Sequence, residues 1–393
     1  MKDIFEGSEA VARTIKACRV GVISAYPITP QTRIVEFLAR MVAEGELKAR
    51  FLNVESEHSA ASVVLGASAT GARAYSATSS QGFILMAEVL YNIAGLRLPL
   101  VLTVANRALS APINIWNDHQ DSLTLRDAGW IQFYGESIQE VCDLHIQAYR
   151  ISEDPRILLP VMVCMDGYIL THGHEVVDIP EPEEVDRFLP PYKPVHVLDV
   201  DNPVSMGLLA GPESYMETRY AIHKTMEEAL EIIPEVAKEF EKIFGRKSGG
   251  LIEAYRVEDA DRVIVGMGSM MGTVKEIVDE LREEGERVGA LKVITHRPFP
   301  GKAIYQALRK VKEIAVLEKA ISLGSWAPLC GEIKALFQGK EENPQISGFV
   351  IGLGGRDITP ENIRDIFLKW KGKVVEAEFV NLNPEIVGKG AEK

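Results

Sequence analysis

Residues 53–86 read NVESEHSAASVVLGASATGARAYSATSSQGFILM. The stretch predicts a helix over 58–70 ended by Gly71, a strand over 73–78 and a second helix over 82–94. It holds one acidic pair, Glu55 and Glu57, followed by a long run of small residues. Small residues let backbones and ligands approach closely. A carboxylate at the mouth of such a run has few cations to pair with. Desolvation disfavours its charged form, so it tends to hold a proton. A carboxyl that holds a proton near neutral pH is useful for acid–base chemistry.

The alternation continues on both sides. Upstream, 20–26 (VGVISAY) predicts a buried strand. Thr29-Pro30 reads as a cap and first turn, and apolar residues at 34, 35, 38, 41 and 42 follow at helical spacing up to Gly45. A strand is expected at 50–54. Downstream, 100–105 predicts a strand and 106–121 a long loop. Ser137 with Glu140 predicts a capped helix through 152, and 157–165 a closing strand. Alternating strands and helices imply a parallel sheet covered on both faces. The pattern breaks at 175–194, a proline-rich acidic stretch expected to form an extended arm. Residues 213–244 read as helical, with Pro234 as an interruption or a new first turn. GRKSGG (245–250) marks a domain boundary. Beyond it, strands are expected at 261–267, 288–294, 313–317 and 345–351. Helices are expected at 273–284, 301–311, 328–337 and 360–371. The expected organisation is therefore α/β, with two doubly wound domains at 1–245 and 251–375 and an extended tail at 376–393.

The chain has 393 residues, too many for one ordinary core. Its net charge of −13 argues against nucleic-acid binding, which needs a basic face. Its apolar runs are far shorter than the roughly 20 residues that span a bilayer. The start, MKDIFEGSEA, lacks the basic-then-apolar pattern of a signal peptide. These features lead to the expectation of a cytoplasmic protein with no membrane partner. Cys18, Cys142, Cys164 and Cys330 are dispersed, with no iron–sulfur or other metal-ligand spacing.

Ligands of open α/β sheets sit beyond the carboxyl ends of the strands. Three stretches are expected there: 26–32, 53–58 and 106–121. Tyr26-Pro27-Ile28-Thr29-Pro30 offers a hydroxyl and free N–H groups to an anion, or forms a plain helix cap. Arg107, in a loop poor in charge, could clamp a carboxylate or pair with Glu57 or Asp118. Asp118-His119-Gln120-Asp121 reads better as a cap than as catalytic. Gly266-Met267-Gly268-Ser269-Met270-Met271-Gly272 weakly matches a dinucleotide turn but lacks the acidic ribose contact.

Four motifs carry a resemblance: Tyr26-Pro27-Ile28-Thr29-Pro30, Glu55-Ser56-Glu57-His58-Ser59-Ala60, Thr78-Ser79-Ser80-Gln81-Gly82 and Asn117-Asp118-His119-Gln120-Asp121. With GLGGRD (352–357), they resemble the 2-oxoacid:ferredoxin oxidoreductases, and within them the alpha subunits of multi-subunit pyruvate:ferredoxin oxidoreductases. The resemblance implies a thiamine diphosphate pyrimidine-binding domain followed by a domain like the C-terminal domain of transketolase. It implies that Glu57 hydrogen-bonds the aminopyrimidine ring as the catalytic acid–base group, with Ser80 and Gln81 beside the cofactor. Thr29 and Arg107 match positions that hold the substrate carboxylate. No metal ligand is expected in this chain.

The family binds diphosphate and Mg2+ through Gly-Asp-Gly and a downstream asparagine. Here the nearest match is Met165-Asp166-Gly167, and no asparagine follows at the family spacing. The resemblance thus implies a beta subunit bearing the diphosphate and Mg2+ half-site. It also implies gamma and delta subunits or equivalents, [4Fe-4S] clusters in partner chains, coenzyme A as co-substrate and ferredoxin as electron acceptor. Branched-chain 2-oxoacid, 2-oxoglutarate and oxalate enzymes share this architecture. A non-catalytic subunit of such a complex is the alternative from a different class.

Overall fold

The computed structural model describes residues 2–370 and 372–388. Residue 371, expected to end a helix, and residues 389–393 of the expected tail lie outside them.

The strands of the first part are β1 Lys2–Glu6, β2 Val22–Ala25, β3 Arg50–Asn53, β4 Ala74–Thr78, β5 Val101–Asn106, β6 Ile131–Tyr134, β7 Val161–Asp166 and β8 His174–Asp178. Those of the second are β9 Ile252–Tyr255, β10 Arg262–Gly266, β11 Val288–Val293, β12 Thr295–Arg297, β13 Glu313–Glu318, β14 Gln345–Val350 and β15 Glu378–Phe379. A seven-stranded sheet runs β12-β6-β7-β5-β4-β2-β3 and a six-stranded sheet β15-β14-β13-β10-β11-β9. Both are parallel except for one antiparallel edge strand each, β12 and β9. The central strands β4, β5 and β7 are buried along their whole length. Helices cover both faces of such a sheet, so their strands read as continuous apolar runs.

The helix Glu57–Ala69 starts one residue before the predicted position. Ser56 caps it by accepting the Ser59 N–H at 3.2 Å. Its inner face buries Ala60, Ala61, Val64 and Ser68. The helix Ile138–Ser152 likewise begins on Ser137, which accepts the Glu140 N–H at 3.2 Å.

Several expectations fail for identifiable reasons. The helix after β2 begins at Thr32, not at Pro30. Gln31 holds the preceding turn closed, accepting the Ile28 N–H at 3.2 Å and donating to the Ala77 carbonyl at 2.6 Å. Thr29 therefore caps nothing and stays exposed. The helix expected over 82–94 is two, Ser80–Leu85 and Ala87–Gly95. The arm over 175–194 is not extended throughout. It starts in β8, which pairs antiparallel with β1, and contains the helix Pro182–Phe188, whose proline suits a first turn.

Pro234 does not interrupt its helix, which runs unbroken over Tyr215–Phe244. A proline inside a helix costs about 3 kcal/mol. Burial of Ile222, Ala229, Ile232, Ile233, Val236 and Phe240 along one face offsets that cost. Within the described part of the expected tail, β15 joins the edge of the six-stranded sheet. No helix among the described residues is long and apolar enough to cross a membrane.

The two sheets share structure. β12 leaves the second unit and pairs with β6 at the edge of the first sheet. The carboxyl ends of β2, β4, β5 and β7 open onto one rim, where the 352–355 turn of the second unit also arrives.

Candidate active site

The rim is built from chain turns that leave the first sheet. Glu57 occupies the first turn of its helix and is 6% exposed. Among the described residues no side-chain donor or cation partners its carboxyl. Burial pushes that carboxyl above the ordinary range, against the pull of its own N–H. Gly82, in the helix after β4, lies directly against it. A Cβ at position 82 would stand 2.8 Å from Glu57 Cδ, so only glycine leaves the carboxyl room.

Ser80 and Gln81 precede Gly82. Ser80 has φ +50°, a left-handed conformation uncommon outside glycine. Its Oγ lies 2.5 Å from the Ala108 carbonyl and 2.6 Å from Gln81 Oε1, sharing one proton between two acceptors. The Gln81 Nε2 group is buried without a partner among the described residues. An unpaired buried amide costs about 1–3 kcal/mol. An unpaired carboxyl and an unpaired amide on adjoining turns suit a flat heterocycle with donors and acceptors on its edge. The residues present therefore fit the pyrimidine half of thiamine diphosphate.

Arg107 follows β5 and is 6% exposed. It pairs with neither Glu57 nor Asp118. Its Nε donates to the Asn114 carbonyl at 2.8 Å and its Nη1 to the Thr29 carbonyl at 3.0 Å. Two neutral carbonyls orient the guanidinium without cancelling its charge. Burial lowers its pKa, and Tyr168 and Asp121 pull the other way. The structure thus joins Thr29 to Arg107 through the Thr29 backbone, while the exposed Thr29 side chain remains available.

Asp121 is the residue that sequence reasoning undervalued. It caps no helix. Oδ2 accepts the N–H of Ser80 and of Arg107, each at 3.0 Å, and Oδ1 accepts Asn106 Nδ2 at 2.8 Å and the Ser122 N–H at 2.7 Å. Burial pushes it up to about 6 despite these donors. One carboxylate thereby ties the turn beside Glu57 to the turn bearing Arg107. The signal was four N–H donors that converge only in the fold. Asp118 accepts the Gln120 N–H at 3.0 Å from one position before the capping residue His119, and also the Gly354 N–H of the second unit.

Two glycine-containing motifs serve the junction between the sheets. Asp166 of Met165-Asp166-Gly167 accepts Lys319 Nζ at 2.6 Å and the Ser269 N–H at 3.0 Å, and His119 Nε2 lies 2.6 Å from its other oxygen. The Gly266-to-Gly272 turn therefore directs a backbone donor at Asp166. A cleft of about 410 Å³ lies elsewhere, among Glu136, Glu140, Lys275 and Lys292, whose charges pair with one another.

With this geometry in hand, the comparisons with known proteins are direct. A family profile described as "Pyruvate flavodoxin/ferredoxin oxidoreductase, thiamine diP-bdg" matches residues 13–238, and "Pyruvate:ferredoxin oxidoreductase core domain II" matches 260–363. The chain belongs to the pyruvate:ferredoxin oxidoreductase family. A pyruvate synthase subunit PorA of Methanosarcina barkeri is 48% identical over 98% of this chain and 97% of its own. A ketoisovalerate oxidoreductase subunit VorA of Pyrococcus horikoshii is 46% identical over 96% and 95%. Among solved structures, a 2-oxoglutarate:ferredoxin oxidoreductase from Magnetococcus marinus superposes with a TM-score of 0.71 at 20% identity. That match covers 94% of this chain and 65% of the other, and shows that the two proteins share a fold across both sheets.

Proposed function

We propose that this chain is the alpha subunit of a pyruvate:ferredoxin oxidoreductase. The reaction is the reversible conversion of pyruvate and coenzyme A to acetyl-CoA and CO2, with electrons passed to ferredoxin. The observation that carries the reading is the buried Glu57 carboxyl, unpaired and seated against Gly82 beside the unpaired Gln81 amide. The family membership supports it.

Thiamine diphosphate, when bound, supplies the nucleophilic carbon and the electron sink that 2-oxoacid decarboxylation needs. Glu57 would hold a proton for the pyrimidine ring, because burial favours its protonated form. Ser80 and Gln81 would stand beside the ring. Arg107 and the Thr29 hydroxyl hold the substrate carboxylate, a charge-assisted contact worth about 1.5–3 kcal/mol. Buried Asp121 keeps the two groups in register.

In this reading the diphosphate, Mg2+ and [4Fe-4S] clusters belong to partner chains: a beta subunit, and gamma and delta subunits or equivalents. The dispersed, buried cysteines support that division. The site then lies at a subunit interface, in the cytoplasm.

A second reading keeps the mechanism and changes the substrate to a branched-chain 2-oxoacid. Identities of 48% and 46% to the two kinds of relative barely separate them. The test is anaerobic turnover of the purified native complex with a panel of 2-oxoacids, coenzyme A and a viologen dye. Preference for pyruvate supports the first reading. Preference for a branched acid transfers the assignment. No turnover by a complex with intact cofactors overturns both.

A further inference from the structure

The loop that carries Arg107 is shaped by the other unit of the chain. Arg107 Nε donates to the Asn114 carbonyl at 2.8 Å. The Asn114 side chain in turn donates from Nδ2 to the Gly354 carbonyl at 3.0 Å, and its Oδ1 accepts the Trp116 N–H at 2.7 Å. Trp116 returns the loop to its start, its carbonyl accepting the Ala108 N–H at 3.0 Å. The Gly354 N–H donates to Asp118 Oδ2 at 3.1 Å. One residue, Asn114, therefore stands between the guanidinium and the second unit.

The turn it meets is built for that contact. Gly354 and Gly355 have φ +61° and +82°, conformations that disfavour any side chain. Space excludes one as well. A Cβ at 354 would stand 2.7 Å from Asn114 Nδ2, and one at 355 would reach 3.0 Å from Trp116 Cγ and closer to its Cβ. Glycines here are required by conformation and by close approach together. A turn needed only to connect β14 to the next helix would face no such double demand.

We propose that Asn114 is a positioning residue for the 2-oxoacid, and that the 352–355 turn acts through it to aim Arg107. The inference rests on the reading of Arg107 as the carboxylate clamp. It gives the second unit a part in substrate affinity through a side chain on the first. Without the Gly354 contact, the Asn114 carbonyl is free to swing with its loop. Arg107 Nε loses a fixed acceptor, and the guanidinium samples orientations that do not meet the carboxylate.

The test is a double-variant cycle in the assembled complex, reading KM for the 2-oxoacid and kcat separately. The variants are Arg107→Ala, Asn114→Asp and Asn114→Ala, with Gly354→Ala approaching from the other side. Asn114→Asp keeps size and the Trp116 contact but loses the donor to Gly354. The expected result is a KM raised by about 5- to 20-fold for either Asn114 variant and for Gly354→Ala, with kcat within about 2-fold. In the Arg107→Ala background, Asn114→Ala should add nothing further. If Arg107→Ala raises KM while the Asn114 variants leave it unchanged, or multiply it in full in that background, the inference falls and the clamp stands. If Arg107→Ala leaves KM unchanged, the clamp itself falls, and the inference with it.

Discussion

Gly82 stands flush against the Glu57 carboxyl, so that a Cβ there would come within 2.8 Å of Glu57 Cδ. Two helices that follow β3 and β4, the strands on either side of β2, thus meet at one glycine and one acid. Gly82→Ala places a methyl group in the space the carboxyl occupies. Alanine favours the helix itself, so the fold should survive while the carboxyl shifts. A misplacement of that order costs about 10²-fold in turnover. Steady-state kinetics alongside thermal unfolding checks this: turnover should fall steeply with an unfolding temperature close to that of the parent.

Asp121 accepts N–H groups from both sides of the site. Asp121→Asn replaces one acceptor oxygen with an amide that faces donors. Both Ser80 and Arg107 then lose a fixed partner. The expected loss in kcat/KM is about 10-fold or more, appearing in KM for the 2-oxoacid and in affinity for thiamine diphosphate together. A change in only one of the two would show that the carboxylate does not tie the turns.

Lys319 is buried and lies 2.6 Å from Asp166. Burial pushes the Asp166 carboxyl up, but Lys319 and then His119 outweigh it and hold it well below the usual range. Lys319→Met leaves that buried charge without its main partner. Breaking such a pair costs about 3–5 kcal/mol. Urea unfolding should show the loss, and it should shrink in the double variant Lys319→Met, Asp166→Asn.

Glu318 precedes Lys319 at the end of β13 and accepts the N–H groups of Leu329 and Cys330 at 2.7 and 2.8 Å. Burial nevertheless pushes it up to about 8, with Glu332 adding to the rise and Arg126 opposing it. A carboxyl whose folded pKa exceeds its unfolded value favours the fold when protonated. Its contribution is complete below roughly pH 4.3, declines as pH rises and is gone above about 8. Thermal unfolding from pH 4 to 9 should fall more steeply for the parent than for Glu318→Gln, with the variant ahead at the alkaline end.

Much of this was legible in the residues. The buried strands β4, β5 and β7 read as apolar runs because both faces are covered. Ser56 and Ser137 mark their helices because capping is local chemistry. What escaped reading depends on distant partners. The first helix, Gly7–Ala17, buries Ser8 and Thr14, whose hydroxyls bond to the Thr171 and Ala10 carbonyls, so its inner face does not look apolar. β6 is four residues long and gains its outer neighbour, β12, from a segment more than 160 residues away. At the site, Glu57 stood out because it is an isolated acid among small residues. Asp121 and Asn114 did not, since their partners come from separate turns and, for Asn114, from the other sheet.

The central claim is that the Glu57 carboxyl supplies the proton that thiamine chemistry requires. The direct measurement is pyruvate-dependent viologen reduction by a complex carrying Glu57→Gln, assayed anaerobically with coenzyme A. Its assembly and thiamine diphosphate content are measured on the same sample. The account predicts a loss of about 10²–10⁴-fold in a complex that assembles and retains cofactor. Near-normal turnover by that complex would contradict it.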